Sequence, residues 1–240
     1  MELIRDSIAI VTGGTRGIGY AVARALLEAG VRVVICARKQ ESVAACVERL
    51  QGQWAGRVRG TVCDVSRYDQ VRSMVDFTLE EFGGLDILVN NAGVGVMGDI
   101  AEISPRQWEE VIGTNLTGVY HCCHAAVPVL RRRGGGYILN IGSLAGTQGF
   151  AGGSAYNASK FGLNGFSEAI MQDLRHDNIR VSAILPGSVN TGFRGHRTGR
   201  ETGWKLTPED VAQVVVDLVR HHPRSLPSRV EIRPSRPPRK

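Results

Sequence analysis

Short, almost wholly apolar runs alternate along this chain with longer stretches whose apolar residues recur at helical spacing. The first run, Ser7-Ile8-Ala9-Ile10-Val11, is rich in branched residues on both of its faces, as a strand covered on both sides requires. Similar runs at 31–35, 57–63, 85–89, 137–141, 179–185 and 230–232 read as further strands. Helical periodicity fills 18–29, 41–50, 68–82, 105 to about 133 with a possible break near Gly113, 154 to about 176, and 208 to about 221. Gly30, Gly83-Gly84 and Gly134-Gly135-Gly136 punctuate these segments, while Ser104-Pro105 and Thr207-Pro208 look like a cap followed by the first helical residue. Strands alternating with helices imply right-handed crossovers and an α/β fold. The expected architecture is a doubly wound parallel sheet of about seven strands with helices on both faces, three layers deep. No linker or repeat divides the chain, so 1–240 is expected to be one domain, with about 234–240 a frayed tail.

The first strand ends in Thr12-Gly13-Gly14-Thr15-Arg16-Gly17-Ile18-Gly19, and a helix follows at once. Strand, glycine turn and helix make a phosphate cradle. Glycines let the backbone approach a pyrophosphate, and the helix start offers free N–H groups and the positive end of its dipole. The spacing is T-G-x-x-x-G-x-G rather than the more widespread G-x-G-x-x-G. The latter does occur, at Gly93, Gly95 and Gly98, but it follows the fourth strand and residues 99–104 separate it from the next helix, so it is not the phosphate loop. After the second strand stand Ala37-Arg38-Lys39, where a carboxylate would hold the free ribose hydroxyls of NAD. Arg38, with Arg16 in the glycine turn, suits a 2′-phosphate instead, which predicts NADP(H) as the preferred cofactor, with NAD(H) possible.

Tyr156 and Lys160 are four apart on one helix face, thirteen residues and more beyond Ser143. An ammonium beside a phenol favours the phenolate, which lets a tyrosine act as proton donor and acceptor near neutral pH. By itself the pair describes countless helices with a core aromatic and a solvated lysine; the surrounding motifs give it meaning.

Composition narrows the classes. With 42% apolar and 22% charged residues the chain is of globular type, and its 30 glycines suit repeated close backbone approaches. A formal charge of +6 and a pI near 9.3 raise the question of nucleic acid. The excess sits in Arg131-Arg132-Arg133, in 194–200 and in 229–240, without interleaved aromatic platforms, so no nucleic-acid partner is expected. The N-terminus carries no apolar signal region, no apolar run is long enough for a bilayer, and the five cysteines are odd in number in mostly apolar surroundings. A cytoplasmic protein without a membrane partner is expected.

These motifs together resemble the short-chain dehydrogenase/reductase family, in its single-domain branch of about 250 residues, with a Rossmann-type fold. The likeness runs through essentially the whole chain, from Thr12-Gly13-x-x-x-Gly17-x-Gly19 through Asp64-Val65, Asn90-Asn91-Ala92-Gly93, Asn115, Ser143 and Tyr156-x-x-x-Lys160 to Pro186-Gly187 and Thr191. The resemblance implies that Tyr156 is the general acid/base, that Ser143 polarises the carbonyl oxygen, and that Lys160 binds the nicotinamide ribose and lowers the tyrosine's pKa. Asn115 would hold a water that relays protons. Thr12, Thr15, Ile18, Asp64, Val65, Asn91, Ala92 and Gly93 would line the adenosine and phosphate path, and Pro186, Gly187, Val189 and Thr191 would hold the nicotinamide. The implied activity is NADP(H)-dependent oxidoreduction between a carbonyl and an alcohol, by a homodimer or homotetramer paired through the helices of Asn115 and Tyr156. The chain departs from many reductases of carrier-protein 3-oxoacyl groups at its end, which is Glu231-Ile232-Arg233-Pro234 and a basic, proline-rich tail in place of a longer segment with a glycine pair. A role in fatty-acid synthesis is therefore not implied.

Val94, Leu144, Phe150 and Phe193, with Val96, Gln148 and Ser188, are candidate walls of a substrate pocket by nearness to the motifs. The loop from Thr191 to Lys205 follows the nicotinamide motif and is expected to cover the substrate, where Arg194, His196 or Arg197 could favour an acidic one. His121-Cys122-Cys123-His124 is no metal site, because successive residues on a helix diverge by about 100°. A nucleotide-sugar epimerase would carry a larger substrate region, and a catalytically silent NADP-binding sensor or scaffold would commonly lack the tyrosine or the lysine.

Overall fold

The computed structural model describes residues 4–191 and 203–238. Its strands are β1 (Ile8–Thr12), β2 (Arg32–Ala37), β3 (Val58–Val62), β4 (Ile87–Asn90), β5 (Gly136–Ile141), β6 (Ile179–Pro186) and β7 (Arg229–Ile232). The helices are α1 (Gly17–Glu28), α2 (Gln40–Gln51), α3 (Tyr68–Phe82), α4 (Pro105–Ile112), α5 (Gly118–Arg133), α6 (Ser154–Leu174) and α7 (Pro208–Arg220). The strands form one parallel sheet in the order β3-β2-β1-β4-β5-β6-β7.

Period-two alternation in the strands explains the layers. Ala9 and Val11 face one apolar core with Val22 and Leu26 of α1 and Val211 and Val215 of α7. Ile8 and Ile10 face the other, with Val71 and Met74 of α3, Val119 and Cys122 of α5, and Leu163 of α6. Both faces of β1 are thus buried, as its unbroken apolar run requires.

The strand order reverses between β1 and β4, which sit side by side although two strands separate them in sequence. At such a switch point the connections leave in opposite directions and open a crevice at the carboxyl ends of the strands. Thr12 bridges that split. Its hydroxyl donates to the Val89 carbonyl (3.3 Å) and accepts from the amides of Asn91 and Ala92 (3.0 Å each), while the Asn91 amide group returns to the carbonyls of Thr12 (2.8 Å) and Gly13 (3.2 Å).

Ser104 with Gln107 and Thr207 with Asp210 form capping boxes at the starts of α4 and α7, each followed by a proline. The interruption anticipated near Gly113 is a π-turn over Gly113–Thr117 that leads straight into α5. The expected tail at about 234–240 follows β7, and its described part, to residue 238, includes Pro234 and Pro237, which line the crevice. Among the described residues no helix is long and apolar enough to cross a membrane.

Candidate active site

The crevice is a cleft of about 1120 Å³. One end is built from the glycine turn. Gly13 (φ +64°) and Gly17 (φ +54°) adopt backbone conformations that a side chain would strain, and a Cβ on Gly19 would land on the Gly13 carbonyl and the Asn91 amide. Helix α1 starts without a side-chain cap and without an acidic residue in its first turn, so its leading N–H groups and positive dipole end are unspent. Gly13, Thr15, Arg16, Gly17 and Ile18 all border the cleft. Thr12 and Gly19 stand behind this lining, as the latch between β1 and β4 and as the close contact that lets α1 seat against the turn.

The next wall follows β2 and β3. Arg38 borders the cleft and makes a long, exposed ion pair with Glu110 (3.5 Å). Asp64 is fixed by the amide (3.0 Å) and hydroxyl (2.8 Å) of Ser66, and Val65 beside it is buried. Asn91, Ala92, Gly93 and Val94 carry the lining across the switch point. Cys36, Ala37 and Cys63 also belong to this wall and were not anticipated; their place at the carboxyl ends of β2 and β3 was the available signal.

At the other end α6 assembles the reactive side chains. Ser143, Tyr156 and Lys160 all line the cleft. Ser143 follows β5 in extended conformation and its hydroxyl accepts from the Ala145 amide (3.1 Å). The loop after it is clamped to α6: Asn157 donates to the carbonyls of Ala145 (2.6 Å) and Gln148 (3.0 Å), and Asn164 to that of Gly146 (2.9 Å). Serine and tyrosine are thereby held on one rigid unit. Lys160 is buried, donates to the Ile141 carbonyl at the end of β5 (2.8 Å), and lies 5.9 Å from the centre of the Tyr156 ring. Burial pushes its pKa down from 10.5 to about 8.

Asn115 does not border the cleft directly. The π-turn turns its side chain inward, where its oxygen accepts from the Val94 amide (2.8 Å) and its nitrogen donates to the Val94 carbonyl (2.9 Å) and the Ser159 hydroxyl (3.0 Å). Ser159 in turn donates to the Tyr156 carbonyl (2.8 Å), so Asn115 ties the switch-point loop to α6.

Pro186, Gly187, Val189 and Thr191 line the floor, and Leu144 and Phe150 a side wall. Phe193, Arg194, His196 and Arg197 lie outside the described residues. Trp204 and Lys205, at the end of the loop expected to cover the substrate, also line the cleft, as do Arg233, Pro234 and Pro237, which were not foreseen. They had a signal all the same. A segment that follows the last parallel strand must emerge at the same edge as the motifs. The His121–His124 stretch splits as helical geometry demands: Cys122 and Cys123 are buried, while His124 bonds the Tyr68 hydroxyl (2.8 Å).

A doubly wound sheet with a crevice of this make-up defines a Rossmann-type α/β protein. The family model described as short chain dehydrogenase matches residues 7–201. The chain belongs to the short-chain dehydrogenase/reductase family, a family of oxidoreductases. Among relatives, a 3alpha-hydroxysteroid dehydrogenase of Mediterraneibacter gnavus is 37% identical over 79% of this chain and 76% of its own length. A 3-oxoacyl-acyl-carrier-protein reductase, FabG, of Chlamydia muridarum is 34% identical over 90% of this chain and 91% of its own. A solved metagenomic short-chain oxidoreductase in complex with NADP superposes with a TM-score of 0.85 at 36% identity, covering 97% of this chain and 99% of the other.

Proposed function

We propose that the protein is an NADP(H)-dependent oxidoreductase that interconverts a carbonyl compound and its alcohol, with Tyr156 as general acid/base. The observation that carries this reading is that Tyr156, Lys160 and Ser143 share one cleft with the glycine turn at the head of α1. The residues present fit a phosphorylated dinucleotide. The uncapped α1 start and the turn suit the pyrophosphate, and Arg16 and Arg38 suit a 2′-phosphate, with no carboxylate directly after β2 to oppose it. Asp64 and Val65 would hold the adenine side, Lys160 the nicotinamide ribose, and Pro186, Gly187, Val189 and Thr191 the nicotinamide itself. Relatives support this choice, since the metagenomic oxidoreductase binds NADP.

When bound, the cofactor supplies the hydride. The protein's own contribution is position and proton management. In the direction of reduction, the Ser143 hydroxyl donates a hydrogen bond to the substrate oxygen as charge develops there. The Tyr156 hydroxyl gives that oxygen its proton, and the ammonium of Lys160 eases the loss and return of the phenol proton. Asn115 acts by position, fixing Val94 against Ser159 and so the carbonyl of Tyr156. Tyr120 and Phe161 stand about half exposed (48% and 46%) on α5 and α6, which suits these helices as the pairing face of a dimer or tetramer.

The reading is tested by following NADPH absorbance with a panel of aldehydes and ketones. Turnover of at least one member is expected. Tight NADPH binding with no turnover of any would favour a silent NADP sensor instead.

A further inference from the structure

We propose that Lys205 and Arg233 form an anion-recognition subsite at the Ser143 end of the cleft, so that the substrate is a carbonyl compound with an apolar body and a carboxylate or phosphate group. The inference rests on the function proposed above and adds the substrate class.

Both cations are placed by chain segments that run beside 186–190. Ile232 pairs with Pro186, and the Gly187 amide donates to the Ile232 carbonyl (2.8 Å), which delivers Arg233 and Pro234 next to Gly187. Farther along, Leu206 takes over as neighbour: its amide donates to the Ser188 carbonyl (3.0 Å) and its carbonyl accepts from the Asn190 amide (2.7 Å), which delivers Lys205. A Cβ on Gly187 would lie 3.2 Å from both Pro234 and Leu144, the residue after Ser143. The Arg233 segment therefore meets the residue after the catalytic serine, with Lys205 next along 188–190, whereas Arg16 and Arg38 belong to the glycine-turn end and the end of β2.

The charges around the cleft are unbalanced. Among the described residues, Arg16, Arg38, Lys160, Lys205 and Arg233 border it against the single carboxylate of Asp64. The first three have work to do on an NADP molecule; Lys205 and Arg233 have none. Arg233 shares Glu231 with Arg229 (2.8 and 2.9 Å), so that trio retains one positive charge. Among the described residues, none of the salt bridges engages Lys205, whose ammonium lies 5.8 Å from the Trp204 ring. The same lining is largely apolar at Leu144, Phe150, Trp204, Pro234 and Pro237, with Gln148 and Ser188 among its uncharged polar members. A mainly apolar wall that carries two cations selects a molecule with an apolar body and an anionic group.

The test measures binding to the NADP⁺-saturated protein by titration calorimetry, with 4-formylbenzoate, its methyl ester and 4-formylphenyl phosphate as probes. The carboxylate or the phosphate should bind about tenfold more tightly than the neutral ester, with the margin shrinking as salt is raised. The stronger of the two names the anionic group. In Lys205→Met/Arg233→Gln, checked for folding by its melting curve, the preference should fall to about one. Equal binding of ester and anions by the wild type overturns the proposal. So does a double variant that keeps the preference but loses NADPH affinity, since the cations would then serve the cofactor. Because binding is read without turnover, failure of every probe to be reduced would count against the proposed oxidoreductase activity and leave the anion subsite to be judged by affinity.

Discussion

The two ends of the cleft are built on opposite principles. At the nucleotide end the working surface is backbone: a turn with positive φ, an uncapped helix start, and the Thr12–Asn91 latch that holds β1 and β4 together at their split. At the proposed catalytic end the working surface is side chain, and backbone serves as anchor, as where Ile141 receives Lys160 or where Ala145 and Gln148 receive Asn157. Chemistry and binding should therefore fail separately. A substitution that keeps the backbone can remove catalysis and spare the cofactor site, while one that adds a single carbon to the turn should do the reverse.

The sharpest form of that contrast is Tyr156→Phe. The ring still fills its place on α6, but the hydroxyl proposed as proton donor is gone. Turnover is expected to fall by about 10³-fold or more, with NADPH affinity unchanged within a few fold, measured by steady-state kinetics beside fluorescence titration. Comparable losses in both quantities would mean that the two ends are not separable. Gly19→Ala is the mirror experiment. Its Cβ would collide with the Gly13 carbonyl and the Asn91 amide, so α1 must shift away from the turn. The expected result is loss of NADPH binding by at least tenfold together with destabilisation of about 2 kcal/mol or more, read from a denaturant curve. Normal NADPH affinity in this variant would break the claim that this end works through close-packed backbone.

The same contrast explains what was legible in the chain. Alternation of buried runs and helical stretches carried the layer order and each strand to within a few residues, because the central strands are covered on both faces and their apolar signal is continuous, while β3 and β7 at the edges are more polar and partly exposed. The glycine turn and the Tyr156–Lys160 pair were legible because motif spacing maps directly onto one strand-to-helix turn and one helix face, whereas Ser143, after β5, stood out only through the family pattern. Thr12 and Asn115 were recognisable only as members of a pattern. Their actual bonds, to Asn91 and Ala92 and to Val94 and Ser159, join residues distant in sequence that no local spacing encodes. Lys205 and Arg233 were hidden for a different reason. Arg233 comes from a basic, proline-rich segment that reads as a solvated end until the register of β7 against β6 sets it on the cleft, and Lys205 closes a loop whose place is fixed only by the long-range bonds of Leu206 to Ser188 and Asn190.

A smaller effect is expected where the nucleotide end does rely on side chains. Among the described residues Arg38 is held by a long, exposed pair with Glu110, an arrangement that contributes at most about 1 kcal/mol and is easily given up to a better partner. If Arg38 reads a 2′-phosphate, Arg38→Asp should lower kcat/KM for NADPH about tenfold or more while raising that for NADH, because the new carboxylate can accept from free ribose hydroxyls. An unchanged ratio of the two cofactors would remove Arg38 from the site and sharpen the view that only backbone matters there.

The smallest effect concerns what the catalytic end costs the fold. Lys160 is buried, and burial lowers its pKa from 10.5 to about 8. The unfolded chain keeps this proton until about pH 10.4. Below pH 8 both states carry the charge, and the folded state bears the full penalty of holding it away from water. Between about pH 8 and 10.5 the unfolded state binds more protons than the folded one, so stability contributed by this group rises with pH across that window. Lys160→Met removes the charge at similar length, at the expense of the bond to the Ile141 carbonyl, about 1 kcal/mol. Without cofactor the variant should therefore melt above the wild type at pH 7, by the equivalent of about 1–2 kcal/mol, and the gap should close as pH is raised from 8 toward 10.5. A variant that melts below the wild type at pH 7, or a gap that ignores pH, would mean that the lysine is not stored at a cost. The catalytic end would then be as well settled in its fold as the backbone cradle opposite.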